Sequence, residues 1–111
     1  MEIIKSSQGD FSILKLQGRF DAHEVAPVRE WVKEQISQGK TRLVVDLGEV
    51  NFVDSSALSV LVQGLKNSRE NGGDLAICSL QQAVRVIFEL TRLDKAFSIY
   101  PTLAEAVESK S

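Results

Sequence analysis

The sequence predicts an α/β fold: a mostly parallel sheet of four to five strands, an antiparallel strand at its N-terminal side, and about four helices. Short β-type runs alternate with helix-period stretches after an opening hairpin, which is the pattern of strands joined by helical crossovers. Leu43–Leu47 and Leu75–Cys78 are nearly continuous apolar runs, as expected of strands covered on both faces. With 111 residues, 43% of them apolar, the chain can bury roughly two-thirds of its unfolded surface, so a single domain over residues 1–111 is expected.

In chain order, Ile3 to Ser6 and Phe11 to Gln17 read as two strands around Ser7-Gln8-Gly9-Asp10, which has the composition of a turn. Gly18 punctuates the second strand, and Arg19 to Glu24 form a polar loop. Val25, Val28, Val32 and Ile36 then fall on one helical stripe, with Trp31 at its edge. Asp21 and Glu24 have the spacing of a capping box. Pro27 would be costly beyond a first turn, so the helix is expected to start near His23 or Glu24, with Asp21 in the loop. Gly39 closes it.

Leu43 to Leu47 is the central strand, and Gly48 to Asn51 is expected to be a short connection. In the next helix Leu58, Leu61, Val62 and Leu65 are expected to bury, leaving Ser56, Ser59, Val60, Gln63 and Asn67 outside. Val60 is thus an apolar residue on a polar face, either without meaning or a docking contact. Asn71-Gly72-Gly73 stops the helix. Leu75 to Cys78 is a further strand, and Ser79 with Gln82 resembles a capping box for a third helix that buries Val84, Ile87 and Phe88. Phe97 to Tyr100 is a last short strand. Thr102 with Glu105 caps a terminal helix that buries Leu103, Ala106 and Val107.

Composition narrows the function. Lys plus Arg number 13 against 15 Asp plus Glu, a net charge of −2 with no basic tract, so direct nucleic-acid binding is not expected. Cys78 has no second cysteine to pair with and reads as packing, and no metal-ligand spacing joins it to His23. No signal peptide or apolar span is evident, so a cytoplasmic monomer without metal or cofactor is expected. There is no Gly-x-Ser-x-Gly elbow, no Walker loop and no acidic pair after the first strand, which argues against an enzyme, a nucleotide binder and a receiver domain.

The remaining chemistry lies in Asp54-Ser55-Ser56, where a strand gives way to a helix. Open α/β sheets meet ligands at that end of their strands, and a helix N-terminus favours an anion. The three residues fit two roles: they cap the helix, or one hydroxyl accepts a phosphate.

Leu16-Gln17-Gly18-Arg19-Phe20-Asp21, the Val-Val-Asp-Leu strand, Val53-Asp54-Ser55-Ser56-Ala57-Leu58 and the order of elements together resemble a STAS domain. More narrowly, they resemble the stand-alone bacterial anti-sigma-factor antagonists. Ala57 stands where that family usually has glycine. The resemblance implies that Ser55 is a phosphoacceptor and that Asp21 belongs to the neighbouring loop of the binding surface. Together with the outer face of the second helix, the expected docking set is Asp21, Asp54, Ser56, Ser59, Val60 and Gln63. The unphosphorylated form would bind an ATP-using anti-sigma-factor serine kinase and free the sigma factor. Phosphorylation would release the antagonist, and a serine phosphatase would restore it. The alternative within the same family is a STAS scaffold that is never phosphorylated, an accessory part of a transporter or stress-signalling complex.

Overall fold

In the computed structural model, which describes residues 1–108, Gly9 and Asp10 turn the chain between β1 (Glu2–Gln8) and β2 (Phe11–Phe20). The last three residues of the expected domain lie outside the described residues. β1 pairs antiparallel with β2 from Glu2↔Gln17 to Gln8↔Phe11. β3 (Arg42–Val53), β4 (Asp74–Cys78) and β5 (Ser98–Tyr100) follow in parallel, so the sheet order is β1-β2-β3-β4-β5. The predicted fold class is the observed one.

Four helices cover the sheet: α1 (Val25–Ser37), α2 (Ser55–Glu70), α3 (Gln82–Leu90) and α4 (Leu103–Glu108). Right-handed crossovers between successive parallel neighbours carry α1, α2 and α3 to one face. There Trp31, Leu61 and Phe88 pack on Leu14, Val45 and Ile77 in the main core. α4 covers part of the other face, where Ala106 packs with Ile13, Val44, Ala76 and Cys78. α2 therefore packs on the sheet and, along one flank, on α1 beside it, and this double contact decides which of its residues are buried.

Several boundaries move for physical reasons. β2 and β3 are longer than the apolar runs suggest. Gly18, at φ +105°, lets β2 continue through a register shift to Phe20, paired with Val53. The expected connection at Gly48 to Asn51 is instead part of β3, because it pairs with this extension. The chain enters α1 through a 3-10 turn over Ala22–Glu24, so Pro27 falls in the first α-helical turn, where its missing N–H costs nothing. Trp31 is fully core, 2% exposed.

Ser79 does not cap α3. It adopts φ +65° with its N–H on the Tyr100 carbonyl, and Gln81 is the N-cap residue. The Gln81 side chain donates to the Gly48 carbonyl at 2.9 Å rather than to the helix. Thr102 does cap α4, its Oγ1 accepting the Glu105 N–H at 3.1 Å.

Candidate functional site

The mouth of α2 is built by the strand that precedes it. β3 delivers Val53 into the core, and Asp54, still extended at φ −112° and ψ −178°, becomes the N-cap. Its Oδ1 accepts the N–H of Ala57 at 2.9 Å, and its Oδ2 accepts the N–H of Ala22 at 3.0 Å. The first bond satisfies a helix donor that lacks an intrahelical partner. The second ties the loop after β2 to the start of α2, bringing together positions far apart in sequence. These backbone donors, Ala57 foremost, hold the Asp54 carboxyl below the usual carboxylate range.

With Asp54 as the cap, Ser55 is the first residue of the helix. It is exposed, and neither its hydroxyl nor that of Ser56 takes part in a hydrogen bond among the described residues. The sequence left open whether the serines or a phosphate explain this segment. Capping is the work of the aspartate, and the Ser55 hydroxyl stands at the positive end of a helix dipole, open to solvent. Ala57 is completely buried, so the methyl that replaces the usual glycine hydrogen faces the core.

Asp21 lies beside this mouth on the neighbouring loop. Its Oδ1 accepts the His23 N–H at 3.0 Å, and its Oδ2 pairs with Arg19 Nε at 3.3 Å. The Arg19 guanidinium in turn lies 3.7 Å from the centre of the Phe52 ring, whose residue pairs with Arg19 across β2 and β3. Asp21 thus meets a cation at this mouth, whereas Asp54 is held by backbone donors alone.

Down the outer face of α2, Ser59 and Gln63 are exposed as expected, whereas Ser56 and Asn67, also expected outside, are half-buried. Val60 is buried: it is 4% exposed and belongs to the main core. Val62, expected inside, is 38% exposed. The error is one of helix phase. Packing on α1 as well as on the sheet rotates the buried arc by roughly 70° at 100° per residue. The apolar residue on the outer face with Ser55 and Ser59 is therefore Val62, at i, i+4 and i+7. The small residue Gly64, which lets α1 approach, was the available signal: a Cβ there would lie 3.3 Å from Val32 Cγ2 of α1.

The STAS domain profile matches residues 2–106. A candidate anti-sigma factor antagonist of Thermotoga maritima is 33% identical over 81 residues, 72% of this chain and 72% of its own length. The anti-sigma F factor antagonist of Paenibacillus polymyxa is 29% identical over 96 residues, 86% of this chain and 82% of its own. Among solved structures, the crystal structure of a candidate anti-sigma factor antagonist from Thermotoga maritima superposes with a TM-score of 0.89 at 28% identity. That superposition covers 96% of this chain and 92% of the other. Sheet order, the Asp54-Ser55 turn and these matches agree: the chain belongs to the STAS domain family, within which the relatives named here are described as anti-sigma factor antagonists.

Proposed function

We propose that the chain is an anti-sigma-factor antagonist that works by partner switching at Ser55. Its unphosphorylated form binds an ATP-using anti-sigma-factor serine kinase and so frees a sigma factor. Phosphorylation of Ser55 by that kinase releases the antagonist, and a serine phosphatase resets it. The role is regulatory rather than catalytic, carried out by a monomer in the cytoplasm. No helix among the described residues is long and apolar enough to cross a membrane. The observation that carries the reading is the division of labour at the helix mouth: Asp54 makes the capping bond, and Ser55 keeps an exposed hydroxyl that bonds to nothing among the described residues.

The energetics suit a switch. A phosphate adds roughly −1.5 to −2 charges and three strong acceptors. The dipole of α2 and its terminal N–H groups accept that charge within this protein, so the fold survives. A partner closing over Ser55 must desolvate the phosphate next to Asp54, and poorly matched charges at an interface cost several kcal/mol. About 4 kcal/mol already separates bound from free by a thousandfold in affinity. The docking surface is Ser55 with Asp54, Asp21, Ser56, Ser59 and Gln63, and Val62 is the exposed apolar residue on that outer face.

Mass spectrometry after incubation with ATP and the source cell's anti-sigma-factor kinase tests this directly. One phosphate is expected, on Ser55, and none on Ser55→Ala. A stable complex in which Ser55 is never modified would replace the switch with the scaffold role.

A further inference from the structure

α1 and α2 do not close completely along their outer edge. A groove of about 200 Å³ lies between them, with the buried side chains of Val32 and Val60 and the backbone of Gly64 at its base. Arg29 and Lys33 of α1 form one wall, and Gln63 and Asn67 of α2 form the other. Its volume falls below the roughly 300–1,000 Å³ typical of small-molecule sites. It is large enough for a side chain of a protein partner.

The charge of this groove is one-sided. Arg29 and Lys33 stand at i and i+4, so they are neighbours on the helix surface. Both are exposed, and neither makes an ion pair among the described residues. Among the described residues no carboxylate lines the groove. In a chain of net charge −2, this is a local basic lip over an apolar base.

The groove also continues the surface at the helix mouth. Ser56, Val60, Gln63 and Asn67 follow one line down α2, at i, i+4, i+7 and i+11. Gln63 is eight residues from Ser55, about 12 Å along the axis at 1.5 Å per residue. A partner footprint of standard size, about 800 Å² on each side, spans both.

We propose that this groove is the second half of the docking surface: it receives an apolar side chain of the anti-sigma partner, flanked by carboxylates that meet Arg29 and Lys33. The inference rests on the anti-sigma reading above and specifies the partner's chemistry, an acidic segment with an aliphatic anchor. Ser55 decides whether the complex forms, and the basic lip fixes its register and speeds its association.

The test titrates two double variants, Arg29→Glu/Lys33→Glu and Arg29→Ala/Lys33→Ala, against the source cell's anti-sigma-factor kinase loaded with ADP, at low and high salt. Ser55→Asp is run in parallel. Charge reversal is expected to weaken binding by about thirtyfold or more, mostly through slower association, and to make binding improve rather than weaken with added salt, whereas the alanine pair flattens the salt dependence. The alanine pair is expected to lose about three- to tenfold, the scale of two exposed ion pairs. Melting temperatures stay at the wild-type value, because both side chains are exposed. Wild-type affinity and salt dependence in both double variants, with Ser55→Asp still abolishing binding, would overturn the groove while leaving the switch intact. Weakening by charge reversal with no effect of Ser55→Asp would keep the groove and remove the switch. Self-association of the wild type, lost on charge reversal, would make the occupant a second copy and overturn the proposal.

Discussion

The Asp54 carboxylate accepts the N–H of Ala22 at 3.0 Å, 32 residues earlier in the chain, while its other oxygen caps α2 at Ala57. One side chain therefore both starts the helix that presents Ser55 and anchors the loop that carries Asp21. The geometry of the site depends on this bond more than on any contact made by the serines.

Replacing Asp54 should therefore disturb two elements. Asp54→Ala loses both bonds and is expected to lower the melting temperature by several degrees, and Asp54→Asn, which keeps an acceptor oxygen, by less. Protection of the Ala22 and Ala57 amides in hydrogen exchange should fall in the alanine variant while the core of β4 stays protected.

The same bonds give a pH signature. The folded-state pKa of Asp54 is depressed, so its contribution is fully present above the unfolded carboxyl value near pH 4 and is lost as pH falls through the lowered folded value. Thermal melts from pH 6 to pH 2 should show the gap between wild type and Asp54→Asn largest at the top of that range and closing toward the bottom.

Val60 and Val62 should respond in opposite ways to the same substitution. Val60→Glu puts an unpaired charge where the residue is 4% exposed and is expected to cost about 3 kcal/mol or more. Val62→Glu should leave stability within about 0.5 kcal/mol and weaken binding to the anti-sigma kinase by about tenfold or more. Calorimetry of unfolding and of binding, run on both variants, separates the two effects.

Ser55 itself is predicted to tune binding without tuning the fold. Ser55→Ala should bind the kinase within about threefold of the unphosphorylated wild type and resist release by ATP. Ser55→Asp should lose about a hundredfold, on the order of 3 kcal/mol. Equal affinities for the two variants would count against the switch.

Cys78 should be chemically silent. It is fully buried at the end of β4 on the face that α4 covers, and burial foremost, with nearby Asp46 second, pushes its thiol up to about 11. Since the thiolate is the reactive form, an aromatic disulfide reagent at pH 8 should label it only after denaturant is added.

Much of the fold could be read from local pattern. The continuous apolar runs at Leu43 and Leu75 marked the central strands, and the valine stripe marked α1. Gly39 and Gly72 marked where α1 and α2 end, both at positive φ. Asp54, Ser55 and Ser56 stood out because their residue types at a strand-to-helix boundary have few uses. Features that depended on a neighbour distant in sequence were missed. Gly48 to Asn51 is strand because β2 runs on beside it, and Ser79, whose N–H meets the Tyr100 carbonyl, turns left-handed instead of capping α3.

The sequence alone determined the order of elements, the covered sheet and the place where a hydroxyl meets a helix start, because these follow from periodicity and from the conformational preferences of glycine and proline. Only the tertiary structure decided that Asp54 rather than a serine makes the cap, that Asp21 is balanced by Arg19, and that Val62 rather than Val60 faces outward. The reason is the same in each case. A side chain's partner or its burial depends on what packs beside it in space, and α1 beside α2 is not visible in the spacing of either helix alone.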